Sequence, residues 1–465
     1  MRILTYTVLP EEDGRQIKRI IRGKMGVSHR VFSELKQRGG FVLDGRAVFA
    51  NHVVRAGQVI RLELFDEESG KAAQDDAPVN VVYEDDDIIV INKEAPLACQ
   101  SSEKQPENTL ENRLMYRYRN QNFVFRPVNR LDKGTSGLMV ATKHAHAQNI
   151  LQEQLHTDSY VREYLAVVCG CPEPAEGEIN APIRKAEGAT VRREVGEGGK
   201  ESLTRYRVIE RGEEFSLVRL RLLTGRTHQI RVHMSHIGHP VAGDFLYGTE
   251  DERLSGRFAL HSHYLSILHP MTGERMEFIA PLPVKLLGIL KGWRLTQACA
   301  EDAGEILSLY RLAAQDEHSH WNEEYPAMEE IEFDLSQDGL FVLRQAGRII
   351  AAVSKIAHDD LDDEPLGWSD GKSCVLARLC VHPEYRGRGI GEWMVRAAMD
   401  KSAGQGLEWM RLLADEHNGA ARRIYEKIGF VQKGEVNLYG GHFVGYEGRI
   451  PAVPAYSVRM SNENT

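Results

Sequence analysis

A multidomain α+β protein is the fold class the sequence predicts, and three observations carry it. The chain has 465 residues, which at roughly 150 residues per domain means about three domains. Hydrophobic residues make up 42% and charged residues 27%, the balance of a folded protein and not of a disordered one. The net charge of −9 is unevenly divided: residues 1–64 carry 12 Lys and Arg against 6 Asp and Glu, while residues 293–465 carry 18 against 28. A basic module stands at the front and an acidic one at the back. Phosphate binding depends on local cation density, so the overall negative charge does not exclude nucleic acid.

Other classes are excluded early. No apolar run reaches the ~20 residues of a membrane helix. The opening MRILTYTVLPEED turns acidic before a signal-peptide core can form. Six Cys over this length make no disulfide framework, and Cys169-x-Cys171 has no second pair to complete a zinc ribbon. The expectation is a reducing, cytoplasmic location without membrane association.

After a strand-like opening, Ile17, Ile20 and Ile21 recur at helical spacing with Lys18, Arg19, Arg22 and Lys24 on the other face. Ser28 is placed to cap a second helix holding Val31, Phe32 and Leu35, which stops at Gly39-Gly40. Two strands follow, FVLD and VIRLELF. The order helix–Ser–helix–Gly-Gly–strand resembles the alpha-L RNA-binding motif over about residues 14–65, within a module assigned to 1–66. That resemblance implies RNA contacts from Lys24, Arg30, Lys36 and Arg38. Residues 67–80 are acidic, lack apolar periodicity and read as a linker.

From Val81 the texture changes to strands (VVYEDDDIIVINK, YLAVVCG, TRYRVIE, FSLVRLRLL, FALHSHYLSI) with helical patterns such as AHAQNILQEQL between them. They predict an α+β domain over residues 81–292. Within it, PVNRLDKGTSGLMVATK sets Asp132 between Arg130 and Lys133 ahead of a Gly-rich turn and an apolar strand. A carboxylate flanked by cations stays ionised and suits a nucleophile or base, although a lone Asp is more often a turn residue. RLDKGTSGL resembles the catalytic signature of the RluA-type pseudouridine synthases. VREYLAVV, LLTGRTHQIRVHMSHIGHPVAGDFLYG and RFALHSHYLSILHP then follow in that family's order.

The resemblance implies a mixed or antiparallel sheet for this domain, and conversion of uridine in ribosomal or transfer RNA to its C-glycoside isomer, with no cofactor and no metal. Asp132 would act on the sugar, by attack on the anomeric carbon or by taking a sugar proton. Tyr164 would stack on the uracil, Arg231 would pair with the aspartate, and Arg130 would fill the space of a flipped nucleotide. Arg226 is a weaker candidate for a phosphate or a neighbouring loop. Two departures from the family pattern, INKEAPL in place of a Pro-Ala-Gly turn and Asn129 in place of a His, bear on substrate contacts. His233, His236 and His239 recur every three residues, but no H-E-x-x-H is present and no carboxylate lies within the run. Helix packing or RNA contact is the better reading for them. Ser136 lacks the G-x-S-x-G elbow and reads as a turn residue.

The pattern resets near residues 292–300, and an α/β unit is assigned to 300–450, with a tail over 451–465. VLARLCVHPEYRGRGIGEWMVRAAM reads as strand, turn and helix, with small residues and Arg at the helix start. Free backbone N–H groups there suit a pyrophosphate. With NGAARRIYEKIGF downstream, the region resembles the GNAT acetyltransferases. That resemblance implies acetyl-CoA held by Arg386, Gly387, Arg388, Gly389, Ile390, Gly391 and Asn418. The strand Leu379 to Val381 would meet the pantetheine, and Tyr425 would protonate the leaving thiolate. Trp321, Glu323, Glu324 and Tyr325 are candidates for an amine pocket, with a solvated acidic helix end as the equal alternative. The acceptor amine and its general base are not assigned. A bifunctional enzyme is the expectation; the alternative is an acetyltransferase brought to RNA or ribosomes by a non-catalytic front half.

Overall fold

The structure, a computed structural model, describes residues 2–64, 70, 72–155, 157–254, 256–316, 320–357, 360–438, 441–450 and 457–461. It divides into two compact units, residues 1–281 with 456–465, and residues 282–455.

The first unit opens with a small four-stranded antiparallel sheet, Arg2–Thr7, Phe41–Leu43, Arg46–Ala47 and Val59–Leu64, carrying the helices Ile17–Gly23 and His29–Gln37. Ile17, Ile20 and Ile21 are buried together with Leu35, Phe41, Ile60 and Leu62, so the apolar stripe faces the sheet. Ser28 Oγ accepts the Val31 N–H at 3.4 Å and caps the second helix. It also accepts from Asn149 Nδ2 at 2.6 Å, which fastens the module to the larger sheet domain. The acidic stretch before that domain is tied down where it is described. Asp75 N–H donates to the Asn112 carbonyl, and Asn112 Nδ2 donates to the Ala73 carbonyl.

The main sheet of this unit is ordered Glu176–Asn180, Leu203–Arg211, Phe215–Leu222, Val161–Cys169, Leu260–Leu268, Ser136–Thr142, Ile88–Lys93 and Val81–Glu84. All its pairs are antiparallel except Leu260–Leu268 with Ser136–Thr142. Every residue of Ile88–Lys93 and Ser136–Thr142 is buried, as a central strand covered on both faces requires. The parallel pair sets His261 opposite Ser136 and Ser262 opposite Gly137, and Ser262 lies opposite Tyr164 on its other side. The turn that carries Asp132 and the strand that carries Tyr164 therefore converge on one end of the sheet. Of the tail assigned to 451–465, residues 457–461 pair with Arg275–Ile279, and the remainder lies outside the described residues.

The second unit is a seven-stranded sheet, ordered Leu295–Gln297, Leu340–Gln345, Arg348–Ile356, Ser373–Val381, Trp409–Asp415, Gly441–Arg449 and Val431–Leu438. Helices Ile390–Ala403 and Gly419–Ile428 cover one core, with Trp393, Met394, Met410 and Leu412 buried in it. Helices Ala303–Ala314 and Met328–Ser336 cover a second core around Ile306, Tyr310 and Ile331. The helix Val284–Lys291, which the sequence places in the domain ending at 292, belongs to this unit. Leu286, Ile289 and Leu290 are buried, and Trp393 Nε1 donates to the Val284 carbonyl at 3.2 Å. Among the described residues no helix is long and apolar enough to cross a membrane.

Candidate active sites

Asp132 lies in the turn before the central strand Ser136–Thr142, where its carbonyl accepts the Thr135 N–H. The two cations beside it in sequence do not hold it. Arg130 reaches toward Gln100 Oε1 and Lys133 toward Gln105 Oε1, and both are exposed. The cation at Asp132 is Arg231, whose Nη1 donates to Oδ2 at 3.2 Å. Arg231 comes from the helix Gln229–His236 and is itself held two-handed by Asp244, Nε to Oδ2 at 2.6 Å and Nη2 to Oδ1 at 2.8 Å. Asp244 is fully buried and also accepts the Leu246 and Tyr247 N–H groups. Phe258 packs under the guanidinium, 4.0 Å from ring centroid to Cζ, and Tyr247 lies 4.9 Å away. A planar cation clamped by a bidentate carboxylate and an aromatic face has one orientation, and it presents an Nη1–H to Asp132.

Tyr164 is buried on the strand Val161–Cys169, and burial raises its phenol above the ordinary value, so it stays protonated. Lys93 closes the floor. Its Nζ donates to the carbonyls of Glu94, Leu97 and Lys133, and burial brings its pKa down to about 8. It fixes the INKEAPL loop to the Asp132 turn, a role invisible in the sequence because its three acceptors are backbone carbonyls. Asn129, the other departure, is buried, and its Oδ1 accepts from Val140 N–H and Tyr160 O–H.

The decoys resolve by their partners. His233 gives both ring nitrogens to Thr204 and the Ala181 carbonyl, and His239 Nδ1 meets the Cys169 carbonyl. Ser136 Oγ is buried between Arg257 and His261. Among the described residues, Asp85, Asp87 and His269 form the one group with metal-compatible reach, but Arg2 Nε sits 2.9 Å from Asp87 Oδ1. Arg226 donates to the Glu201 carbonyl at 3.0 Å, in the neighbouring loop. Lys24, Arg30, Lys36 and Arg38 are all exposed around the second helix of the front module.

In the second unit the strands Ser373–Val381 and Trp409–Asp415 pair only from Ser373–Trp409 to Val375–Arg411, although both run on. They part into a cleft, and Arg378 marks a bulge at φ +50 on its rim. Leu379 to Val381 turn one edge to the strand Arg348–Ile356 and leave the other facing this cleft. Gly389 caps the helix Ile390–Ala403 at φ +81, a conformation that suits Gly and bares the first helical N–H groups. Arg386 and Arg388 flank the turn, tied to Asp316 and to the Glu384 carbonyl. Asn418 Oδ1 caps the next helix through the Ala421 N–H. Tyr425 is buried on that helix with its pKa pushed up to about 12. Of the amine-pocket candidates, Tyr325 lies within 3.2 Å of Arg378 Nη1 and Trp321 packs edge-on against Tyr310, while Glu323 and Glu324 are exposed. His320, from the same loop, pairs with Asp415, which the sequence reading did not find.

A family model described as RNA pseudouridylate synthase matches residues 87–236, and one described as acetyltransferase (GNAT) family matches residues 306–430. The uncharacterized RNA pseudouridine synthase YjbO of Bacillus subtilis is 35% identical over 274 residues, 58% of this chain and 96% of that protein. Ribosomal large subunit pseudouridine synthase D of Xanthomonas campestris is 38% identical over 294 residues, 60% of this chain and 87% of that protein. Among solved structures, human RNA pseudouridylate synthase domain containing 1 is 29% identical at a TM-score of 0.39, covering 47% of this chain and 88% of that one.

Proposed function

Because this chain belongs to the RNA pseudouridine synthase family, we propose that its first unit isomerises uridine in ribosomal RNA with Asp132 as the acting carboxylate. The observation that carries the assignment is the chain of contacts from buried Asp244 through Arg231 to Asp132. Arg231 sets a fixed cation against Asp132 Oδ2 and so orients the carboxylate, which serves both routes, whether the carboxylate attacks the anomeric carbon or takes the proton from its neighbour. Tyr164, protonated and buried, presents a ring to the uracil while the base leaves, turns and rejoins through its fifth carbon. The glycosidic bond is out of reach in a stacked base, and exposed Arg130 beside the site fills the space of the flipped nucleotide. The exposed cations of the front module, Lys24, Arg30, Lys36 and Arg38, contact the phosphate backbone. Relatives named for the large ribosomal subunit favour ribosomal over transfer RNA.

The second unit is a GNAT-family acyltransferase domain, and acetyl-CoA acting on an amine is the reading its cleft supports. Bound acetyl-CoA supplies a thioester for acyl transfer. The helix start at Arg386 to Gly391 fits a pyrophosphate through bared N–H groups, and the open edge of Leu379 to Val381 fits the amide-bearing arm. Asn418 sets the neighbouring helix, and Tyr425 holds the proton that a thiolate would take.

The test is tritium release from ribosomal and transfer RNA transcripts labelled at the fifth uracil carbon, with no added cofactor. Wild-type protein releases tritium from ribosomal RNA, and Asp132→Ala loses release by on the order of 10³-fold or more. Unchanged release by the variant, or none from any RNA by the wild type, overturns the reading.

A further inference from the structure

His228 stands beside the catalytic aspartate in a conformation few residues adopt. It precedes the helix Gln229–His236 with φ +60 and ψ +18, in the left-handed region. For a non-glycine residue this is costly and persists only where surrounding contacts impose it. Those contacts are specific. The Tyr247 hydroxyl accepts the Arg193 backbone N–H at 2.9 Å, so its own proton is free to go to His228 Nδ1, 2.7 Å away. With Nδ1 an acceptor, the neutral ring carries its proton on Nε2. That nitrogen faces Asp132 Oδ2 at 3.9 Å.

The charged and titratable groups around the ring are Asp132 from the catalytic turn, Arg231 on the adjoining helix, Asp244 and Tyr247 from the following loop, and Arg193 from the strand Arg193–Val195. Burial comes first among the influences and lowers the imidazole pKa; Arg231 and Arg193 work in the same direction, while Asp132 and Asp244 oppose them. The balance keeps the ring neutral.

We propose that His228 is a positioning residue for the isomerisation: its Nε2–H closes on Asp132 Oδ2, the oxygen Arg231 already holds, and leaves Oδ1 to act on the ribose. The inference rests on the synthase reading of the first unit. Separated as they are, Nε2 and Oδ2 interact through charge and dipole, and a short ring movement as the flipped uridine enters brings them to hydrogen-bond range. Catalytic hydrogen bonds often tighten in this way. With both donors on one oxygen the carboxylate has a single orientation. The Tyr247–Arg193 contact also ties that orientation to the strand Arg193–Val195, which pairs antiparallel with Ile183–Lys185, so this two-stranded element helps set the tautomer.

The experiment follows tritium release from ribosomal RNA labelled at the fifth uracil carbon, using full-length wild type, His228→Asn and Tyr247→Phe. Asn tolerates the left-handed backbone but falls short of Asp132. His228→Asn is expected to lower kcat on the order of 10- to 100-fold with KM unchanged, the cost of a misoriented reacting group. Tyr247→Phe removes the hydroxyl that fixes the Nε2–H tautomer, so the neutral ring can turn a lone pair to Asp132; protonation restores Nε2–H, and the acid limb of the pH–rate profile therefore changes position relative to wild type. If His228→Asn does not fold, shown by its thermal melt, the acid limb of Tyr247→Phe decides. A folded His228→Asn with wild-type kcat, or a Tyr247→Phe profile that does not move, overturns the positioning role while the wild type stays active. A wild type that releases no tritium overturns the synthase reading itself, and this inference with it.

Discussion

At the scale of single residues, Asp132, the carboxylate proposed to act, depends less on its sequence neighbours than on a residue it never touches. Asp244 is buried and gives both oxygens to Arg231, which in turn reaches Asp132. Removing one partner of such a buried pair typically costs about 3–5 kcal/mol, because the other charge is left uncompensated. Asp244→Asn keeps the shape and removes the charge. It is expected to lower the melting temperature and to cut tritium release even among molecules that remain folded, since Arg231 loses its fixed direction. A variant that melts early but turns over normally per folded molecule would confine Asp244 to stability. Asp132 and Arg231 were legible because each lies in a distinctive motif. Asp244, Tyr247 and His228 lie in the segment LLTGRTHQIRVHMSHIGHPVAGDFLYG, yet their contacts around Asp132 and Arg231 were not. Each acts through a contact that exists only once the helix and the loop after it fold together. For the same reason sequence adjacency alone does not make Arg130 and Lys133 partners of Asp132: they flank it in the chain and reach Gln100 and Gln105 in space.

At the scale of elements, the turn from Asp132 into the strand Ser136–Thr142 is built around close packing. A Cβ on Gly134 would stand 2.6 Å from Cε1 of Phe258, the ring beneath the Arg231 guanidinium. Gly134→Ala must push that ring away, and overpacking of this kind costs typically about 1–3 kcal/mol. The expected result is a modest loss in thermal stability and a larger loss of tritium release, because the displaced ring is the floor of the cation. Equal, proportionate losses would mean the ring does not set Arg231. The strands with apolar runs were readable, whereas Glu176–Asn180 at the sheet edge, with Ile179 its one buried residue, was not. The boundary at residue 281 was not, because Val284–Lys291 is an apolar segment whose partner, Trp393, lies about a hundred residues on. Periodicity shows that a helix has a buried face, and says nothing of which core receives it.

At the scale of the whole molecule, each unit has a hydrophobic core of its own, one around Ile88, Val140 and Phe278 and another around Trp393, Met394 and Met410. The chain passes between them twice, since strand 457–461 returns to the sheet of the first unit. A ligand that binds only the native form of one unit stabilises that unit by mass action, about 2.7 kcal/mol at a hundred times its dissociation constant. Acetyl-CoA is therefore expected to slow amide hydrogen exchange in the strand Trp409–Asp415 and the helix Ile390–Ala403. It is expected to leave exchange in Ile88–Lys93 and Ser136–Thr142 unchanged, and Asp132→Ala should bind it with wild-type affinity. Ribosomal RNA should give the converse pattern. Protection of the Ser136–Thr142 strand by acetyl-CoA, or an acetyl-CoA affinity that changes when RNA is bound, would show that the two chemistries are thermodynamically coupled, since linkage makes any such effect reciprocal.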